Sequence, residues 1–174
     1  FVINGAERVI ISQLHRSPGI CFERNRHSSG RMLYSFRIIP DRGSWMEVQF
    51  DINDLIYIYL DRRRRRRKFL ITTFLRAVGF ESNKEILSQI YQVGTHSVSS
   101  FSVSSLIKKS DLNCYYTVSD IVNENGIVVM EELVQMNESH LKQLQELKIA
   151  KVELVHIPDG DNYLIGCLRR DPSR

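Results

Sequence analysis

Seven consecutive cationic side chains give this 174-residue chain its strongest chemical signal. They are, in order, Arg62, Arg63, Arg64, Arg65, Arg66, Arg67 and Lys68. Taking these seven charges away from the net charge of +4 leaves −3 for the rest, so the basic character belongs to one place. A localised cationic patch favours contact with a polyanion, because each side chain can neutralise a phosphate. A solvated charged surface is the alternative interpretation.

Two other side chains, Trp45 and Arg16, have a binding and a structural interpretation. Trp45 is the only tryptophan, and the preceding Arg42-Gly43-Ser44 segment is typical of a loop, which predicts exposure. An exposed indole can stack on a base, whereas a tryptophan at a strand start can equally be a core residue. Arg16 lies just before Pro18-Gly19, and on its own it is best interpreted as a surface arginine that pairs with a carboxylate.

A self-contained active site is not visible in the sequence. The phosphate-loop, dinucleotide-binding, zinc-protease and nucleophile-elbow motifs are all absent. The five histidines are scattered, and Asp51 and Asp54 fall in a predicted turn, where aspartate is common for backbone reasons. We therefore predict no metal site.

Other features of the sequence bear on its cellular setting. The cysteines, Cys21, Cys114 and Cys167, are far apart and odd in number, which favours buried, reduced thiols over a disulfide framework. No apolar run is long enough to cross a membrane, and no secretory signal opens the chain. Because Phe1 is not an initiator methionine, we expect a piece of a longer protein.

The first part of the chain predicts β structure. Asn4-Gly5 favours a hairpin between residues 1–3 and 8–14, with a loop slightly longer than the minimum. Runs of alternating or β-branched residues then predict a β-meander of four strands, with a polar loop at 23–31. These strands are 20–22, 32–39, 45–50 and 56–60.

Helical spacing appears after the cationic run. Apolar residues from Phe69 to Ala77 predict a helix that ends at Gly79. Ser82 and Glu85 form a capping box that predicts the start of a second helix. The apolar face of this second helix consists of Ile86, Leu87 and Ile90. Asn137 is placed to cap a third helix. The buried stripe of that helix is predicted to be Leu141, Leu144 and Leu147.

The remaining segments predict further strands and loops. Residues 114–118 and 127–130 are strands, the second following a turn at Asn125-Gly126, and the Ser-rich residues 95–105 are a loop. Lys151–Ile157 alternates with Val152, Leu154 and Ile157 inward, and Asp159-Gly160 turns it back into residues 163–168. The whole is predicted to be α+β, with mostly antiparallel strands and about three short helices.

Four strings of residues resemble one family in sequence and in order. They are FVINGAERVIISQLHRSPG at 1–19, HSSG at 27–30, RIIPDRGSW at 37–45 and DRRR from Asp61. Together they resemble the β subunit of bacterial DNA-directed RNA polymerase where its protrusion domain passes into its lobe. The second half resembles the same family more loosely, in the order of its elements. The resemblance implies a protrusion-type segment and connection at 1–19 and a partial, lobe-like α+β domain at 20–174.

The resemblance also implies roles for single residues. Arg16 matches an arginine that helps to form a pocket for an unpaired nontemplate-strand base, and Trp45 matches a tryptophan that stacks on a flipped nontemplate base. Arg62–Lys68 matches a phosphate-contacting ridge that faces downstream duplex DNA, although the family's run is shorter and often ends in proline. Ile11 matches the edge of the rifamycin pocket, whose main segment lies outside this chain.

The implied partners are those of a polymerase subunit. They are downstream duplex DNA, the nontemplate strand, the β′ and α subunits and sigma factor, in the cytoplasm and without a membrane. The resemblance implies no cofactor in this segment, because the catalytic magnesium of the whole nucleotidyltransferase is bound by another subunit. We therefore expect neither catalysis nor tight rifamycin binding by this chain alone.

Two alternatives belong to other functional classes. A free-standing basic nucleic-acid-binding module would explain the cationic run but not SQLHRSPG or RGSW. A gel shift distinguishes this module from a polymerase lobe segment, since the module should bind DNA tightly alone and a lobe segment only weakly. A protein-interaction scaffold is the third interpretation, with residues 95–105 as its candidate surface.

Overall fold

The computed structural model describes residues 1–60, 67–98, 112–123 and 126–173. Twelve strands and four α-helices lie within them, and every strand pair is antiparallel, which confirms the α+β prediction. The helices are α1 (Ile71–Val78), α2 (Asn83–Ile90), α3 (Glu138–Glu146) and α4 (Tyr163–Arg169). The strands are β1 (Val2–Ile3), β2 (Ala6–Glu7), β3 (Gly19–Arg26), β4 (Met32–Ile39), β5 (Met46–Phe50), β6 (Ile56–Tyr59), β7 (Lys68–Leu70), β8 (Val93–Ser97), β9 (Tyr115–Thr117), β10 (Ile121–Val122), β11 (Val128–Met130) and β12 (Lys151–His156).

The predicted meander is a five-stranded sheet in the order β3-β4-β5-β6-β7. Its first strand is longer than predicted, since pairing with β4 continues to Arg26 opposite Met32. The predicted polar loop at 23–31 is therefore wrong in its first half. Polar residues extend a strand as readily as apolar ones where the neighbouring backbone supplies the hydrogen bonds and one side chain faces water. The turn occupies only residues 27–31, and His27 N–H donates to the carbonyl of Arg31 at 2.8 Å.

The last strand of this sheet was predicted to be the start of a helix. Lys68–Leu70 pairs with Tyr57–Tyr59 instead, and α1 begins at Ile71. The spacing of a short apolar run does not distinguish a strand from a helix. Here the segment is a strand because its backbone pairs with the edge of β6. The predicted helix end at Gly79 is confirmed, with φ at +127°.

The helix caps that the sequence predicts are present. Ser82 Oγ accepts from the amide of Glu85 at 3.1 Å, and Glu85 Oε2 accepts from the amide of Ser82 at 3.3 Å. Asn137 Oδ1 accepts from the amide of His140 at 2.9 Å, which caps α3. The predicted apolar faces of α2 and α3 are not buried over their full length, since Ile90 and Leu147 are exposed.

The second sheet has the order β8-β12-β9 and separates two apolar clusters. Val152 and Leu154 of β12 belong to the cluster that contains Leu144 of α3. Val155 and Ile157 belong to the cluster with α2 and α4. The predicted single inward face is therefore wrong, because this sheet is covered on both sides. Thr95–Ser97 also belongs to β8 rather than to the predicted loop, of which residues 99–105 lie outside the described part.

The segment after β12 is a helix and not the returning strand that the turn at Asp159-Gly160 suggested. Its buried residues are Leu164, Ile165, Cys167 and Leu168. A short segment buried nearly all round shows neither period clearly, which is why its pattern was misleading. The amide of Ile56 donates to Cys167 Sγ at 3.1 Å, so α4 joins the two sheets. Burial raises the pKa of the Cys167 thiol.

Three smaller predictions about the chain need correction. Cys21 and Cys114 are free but only partly buried, so burial of all three thiols is wrong. The hairpin at Asn4-Gly5 has the minimal two-residue loop, and both residues have positive φ. Residues 8–14 form no strand. Arg8 exchanges backbone hydrogen bonds with Phe1, but residues 9–14 are not paired with any strand among the described residues, and a strand needs such a neighbour.

One short hairpin of the second half follows the prediction in outline. β10 pairs with β11 across a turn in which Gly126 has φ at +75°. Asn125, the other predicted turn residue, lies outside the described residues. Leu112–Cys114 forms a 3₁₀ turn, so the strand predicted from Cys114 begins at Tyr115.

Candidate nucleic-acid interface

One face of the five-stranded sheet carries a row of mainly polar side chains from edge to edge. The residues directly opposite one another in successive strands are Cys21, Arg37, Glu47, Tyr59 and Lys68. Directly opposed residues present their side chains on the same face, and five strands span about 19 Å. The other face holds Val48 and Ile58, which are buried on the side where α1 and α4 pack.

Arg16 lies in the coil just before β3, at one edge of this face. Its side chain is 55% exposed, and Nη1 lies 3.5 Å from Oε1 of Glu23. The contact with a carboxylate is the one that the surface-arginine interpretation expected. An exposed ion pair of this kind contributes only about 0.2–1 kcal/mol, so it leaves the guanidinium able to exchange partners.

Trp45 immediately precedes β5 and is partly buried. The guanidinium carbon of Arg37 lies 5.9 Å from the centroid of its ring, within the range of a cation–π contact. The predicted exposure is thus only partial, and the indole is neither a core residue nor a free surface group.

Arg37 connects these two predicted residues, and sequence reasoning missed it. Its Nη1 lies 3.2 Å from Oε1 of Glu23, and its Nη2 lies 3.5 Å from Oε2 of Glu47. Arg16, Glu23, Arg37 and Trp45 therefore form a continuous series of contacts. This series of contacts becomes visible only from the register of β3, β4 and β5. The sequence did not indicate Glu23, because residues 23–31 were predicted to be a loop.

The cationic run begins after β6 and ends where β7 begins, at the opposite edge of the sheet. Arg62–Arg66 lie outside the described residues, whereas Arg67 and Lys68 are described and exposed. Lys68 lies in the polar row, with Nζ 4.4 Å from the centroid of the Tyr57 ring. The run thus leads into a strand and not into the helix start that the sequence suggested.

The remaining candidates lie elsewhere. Asp54 has positive φ in the turn before β6 and pairs with Nη2 of Arg31, which agrees with a backbone role. Ile11 is 84% exposed in the N-terminal coil, so the expected strand packing is not seen. None of the described helices has the length and apolar character that crossing a bilayer requires.

Comparisons with known proteins cover the whole of this architecture. The family model described as RNA polymerase Rpb2, domain 2, matches residues 16–157. The DNA-directed RNA polymerase subunit beta of Methylacidiphilum infernorum is 44% identical over 187 aligned positions, which cover 100% of this chain and 14% of that protein. The proteins of the same name from Protochlamydia amoebophila and Chlamydia abortus are 42% and 41% identical over 99% of the chain.

These matches decide the family. The chain spans about one seventh of the length of the relatives that it matches, since 14% of each is covered. The four strings within residues 1–64, which first suggested the resemblance, lie within a similarity that continues to the second sheet and α4. The chain therefore belongs to the family of bacterial DNA-directed RNA polymerase β subunits, and it corresponds to a segment of such a subunit.

Proposed function

We propose that this chain is part of the β-subunit lobe, that it lines the downstream DNA channel and that it contacts the transcription bubble. The observation that carries the proposal is the polar face of the five-stranded sheet. Arg16 beside the edge strand β3 is linked to Trp45 at the start of the central strand β5, and Lys68 lies on the opposite edge strand. A face with cations at both edges suits a nucleic acid that crosses it.

The two groups of residues would contribute different kinds of contact. Arg67, Lys68 and the preceding arginines would contact phosphates, which set the position of the DNA without reading its sequence. Arg16 offers a rigid fork of donors that can bind the edge of an unpaired guanine. Trp45 offers a flat surface on which a flipped base can stack regardless of its identity.

The activity of the whole enzyme is also part of the proposal. The assembled polymerase would transfer nucleotides to RNA in the cytoplasm, with its catalytic magnesium on another subunit. The β′ and α subunits and sigma factor would be the protein partners. This segment would hold DNA and perform no chemistry.

We expect Arg16→Ala and Trp45→Ala to weaken the open complex in different ways. Trp45→Ala should shorten its lifetime by the equivalent of ~1–3 kcal/mol of stacking, with little dependence on the base. Arg16→Ala should remove a preference for guanine at the downstream nontemplate position, worth ~1–3 kcal/mol if the contact is bidentate. The measurement is open-complex decay in reconstituted polymerase, on templates with each of the four bases.

Matched controls lie on the other face of the same sheet. Arg24 alternates with Glu23 along β3, and Phe22 is 80% exposed. Arg24→Ala and Phe22→Ala should leave the base dependence unchanged. The proposal fails if Arg16→Ala and Trp45→Ala decay like the unaltered enzyme, or if Trp45→Ala sharply lowers the melting temperature.

Replacing Arg62–Arg67 by glutamine should weaken duplex binding and flatten its salt dependence. Each lost phosphate contact reduces the slope of log K against log salt by about 0.9, because fewer counterions are released. Fluorescence anisotropy with a short duplex at several salt concentrations measures the slope. Lys148→Gln with Lys151→Gln, near the second sheet, is the control. An unchanged slope for the arginine variant would mean that the run is a solvated surface.

A further inference from the structure

Two side chains outside the predicted set bring Arg16 and Trp45 into one assembly. Glu23 on β3 and Arg37 on β4 project from the same face of the sheet. Oε1 of Glu23 lies 3.5 Å from Nη1 of Arg16 and 3.2 Å from Nη1 of Arg37, so a single carboxylate oxygen serves both cations. Arg37 then packs over the ring of Trp45.

The exposure of these side chains increases from the inner end of the series to the outer end. The side chains of Arg37 and Glu47 are 14% and 19% exposed, Glu23 is 33% exposed and Arg16 is 55% exposed. Of the polar atoms that the structure describes, Nε of Arg37 is buried without a hydrogen-bond partner. The guanidinium of Arg37 is therefore held by its two terminal nitrogens, through Glu23 and Glu47.

We propose that Glu23 and Arg37 are positioning residues, which hold Arg16 and Trp45 in the arrangement that receives an unpaired base. This inference rests on the proposed function. Glu23 engages only one terminal nitrogen of Arg16, so the other donors of the fork stay available for a base edge. Restricting a long, exposed side chain before binding lowers the entropy that binding would otherwise remove. Arg37 restrains the indole in the same way.

Glu23 carries a negative charge next to a surface proposed to bind DNA. It could therefore act in two ways, by repelling DNA or by positioning Arg16, and the two effects can be distinguished. If its charge acted only through electrostatics, removing it would favour DNA equally for every base. If it positions Arg16, removing it lowers discrimination between bases even though overall attraction does not fall. The base preference is therefore the decisive readout.

The first test is Glu23→Gln in polymerase reconstituted with the full-length β subunit. We expect the guanine preference in open-complex decay to fall about two- to fivefold, the range of an exposed ion pair, without faster decay on the other three bases. In an Arg16→Ala background the same substitution should change the preference no further. The control is Asp54→Asn, which removes a carboxylate paired with Arg31 between the turns that precede β6 and β4.

The second test is Arg37→Lys, which keeps the charge and removes the fork. Open complexes should decay about two- to fivefold faster on all four templates, and this effect should vanish in a Trp45→Ala background. If this variant unfolds the subunit, the Glu23→Gln experiment decides, because Glu23 is one-third exposed and tolerates replacement better.

The outcomes separate this inference from the proposed function. If Arg16→Ala and Trp45→Ala alter decay while Glu23→Gln keeps the full guanine preference, the positioning role is overturned and the proposed function stands. Fully additive effects of Glu23→Gln and Arg16→Ala on the preference would overturn it as well. If neither Arg16→Ala nor Trp45→Ala alters decay, both the proposed function and the positioning role fall.

Discussion

Asp171→Ala is expected to destabilise the chain by about 3–5 kcal/mol, the cost of removing one partner from a buried ion pair. The side chain of Asp171 is fully enclosed, and its Oδ2 lies 3.3 Å from Nε of Arg76 on α1. Its Oδ1 accepts from Thr73 Oγ1 at 2.8 Å and from the hydroxyl of Ser173 at 2.6 Å. Through its contacts with Thr73 and Arg76, the carboxylate links the segment after α4 to α1. Chemical denaturation measures the free energy of unfolding.

The expected loss of stability is large because the Arg76 guanidinium cannot move into solvent when Asp171 is removed. Its side chain is only 15% exposed, Nη1 donates to the carbonyl of Glu81 at 2.6 Å, and Nη2 donates to Oδ1 of Asn83. Held by these bonds, the guanidinium would stay in place without its counter-charge. A loss below 1 kcal/mol would mean that the network contributes little. Asp41→Ala, at an exposed loop position, is the control and should change stability by less than about 0.5 kcal/mol.

The same carboxylate makes stability depend on acidity. Burial on its own raises the pKa of Asp171, but hydrogen bonds from Ser173 and Thr73 to the ionised form outweigh burial and lower that pKa well below its usual range. Its contribution is therefore complete above the unfolded-state pKa of about 3.9 and is lost as the pH falls below that value. From pH 5 to pH 3, the unaltered chain should lose more stability than Asp171→Asn. Parallel losses would contradict this assignment.

Leu154→Ala should cost about 2–5 kcal/mol, the range for a large-to-small change at a buried leucine. Leu154 is 0% exposed at the centre of β12, where its strand pairs with β8 on one side and β9 on the other. Strands on both sides limit how far the backbone can close over a cavity. The measurement is the shift of the denaturation midpoint at constant slope.

A matched control for this leucine exists in the same chain. Leu14 is fully exposed in the N-terminal coil, so Leu14→Ala removes the same atoms without making a cavity. It should change the free energy of unfolding by less than about 0.5 kcal/mol. Equal effects of the two substitutions would mean that the second sheet does not form a packed core.

Local signals in the sequence were enough for several features of the molecule. The capping box at Ser82 and Glu85, the cap at Asn137 and the helix end at Gly79 depend on neighbours within a few residues. The meander followed from alternating runs separated by turns. The family followed from uncommon strings in one order, which the comparisons confirm.

Other features depend on partners that are distant along the chain. Lys68–Leu70 is a strand because the edge of β6 is open to it, and Tyr163–Arg169 is a helix that is buried on nearly every side. β12 alternates imperfectly because both of its faces are covered. In each case a local pattern fits two structures, and burial by distant elements selects one of them.

The candidate interface divides in the same way. Residue types pointed to the cationic run and to an exposed Trp45, whereas the base contact of Arg16 followed only from the resemblance to the polymerase family. The link through Glu23 and Arg37 could not be predicted, since it depends on the register of β3 against β4. A shift of one residue would turn Arg37 to the opposite face, so the contact exists only once the strands have paired.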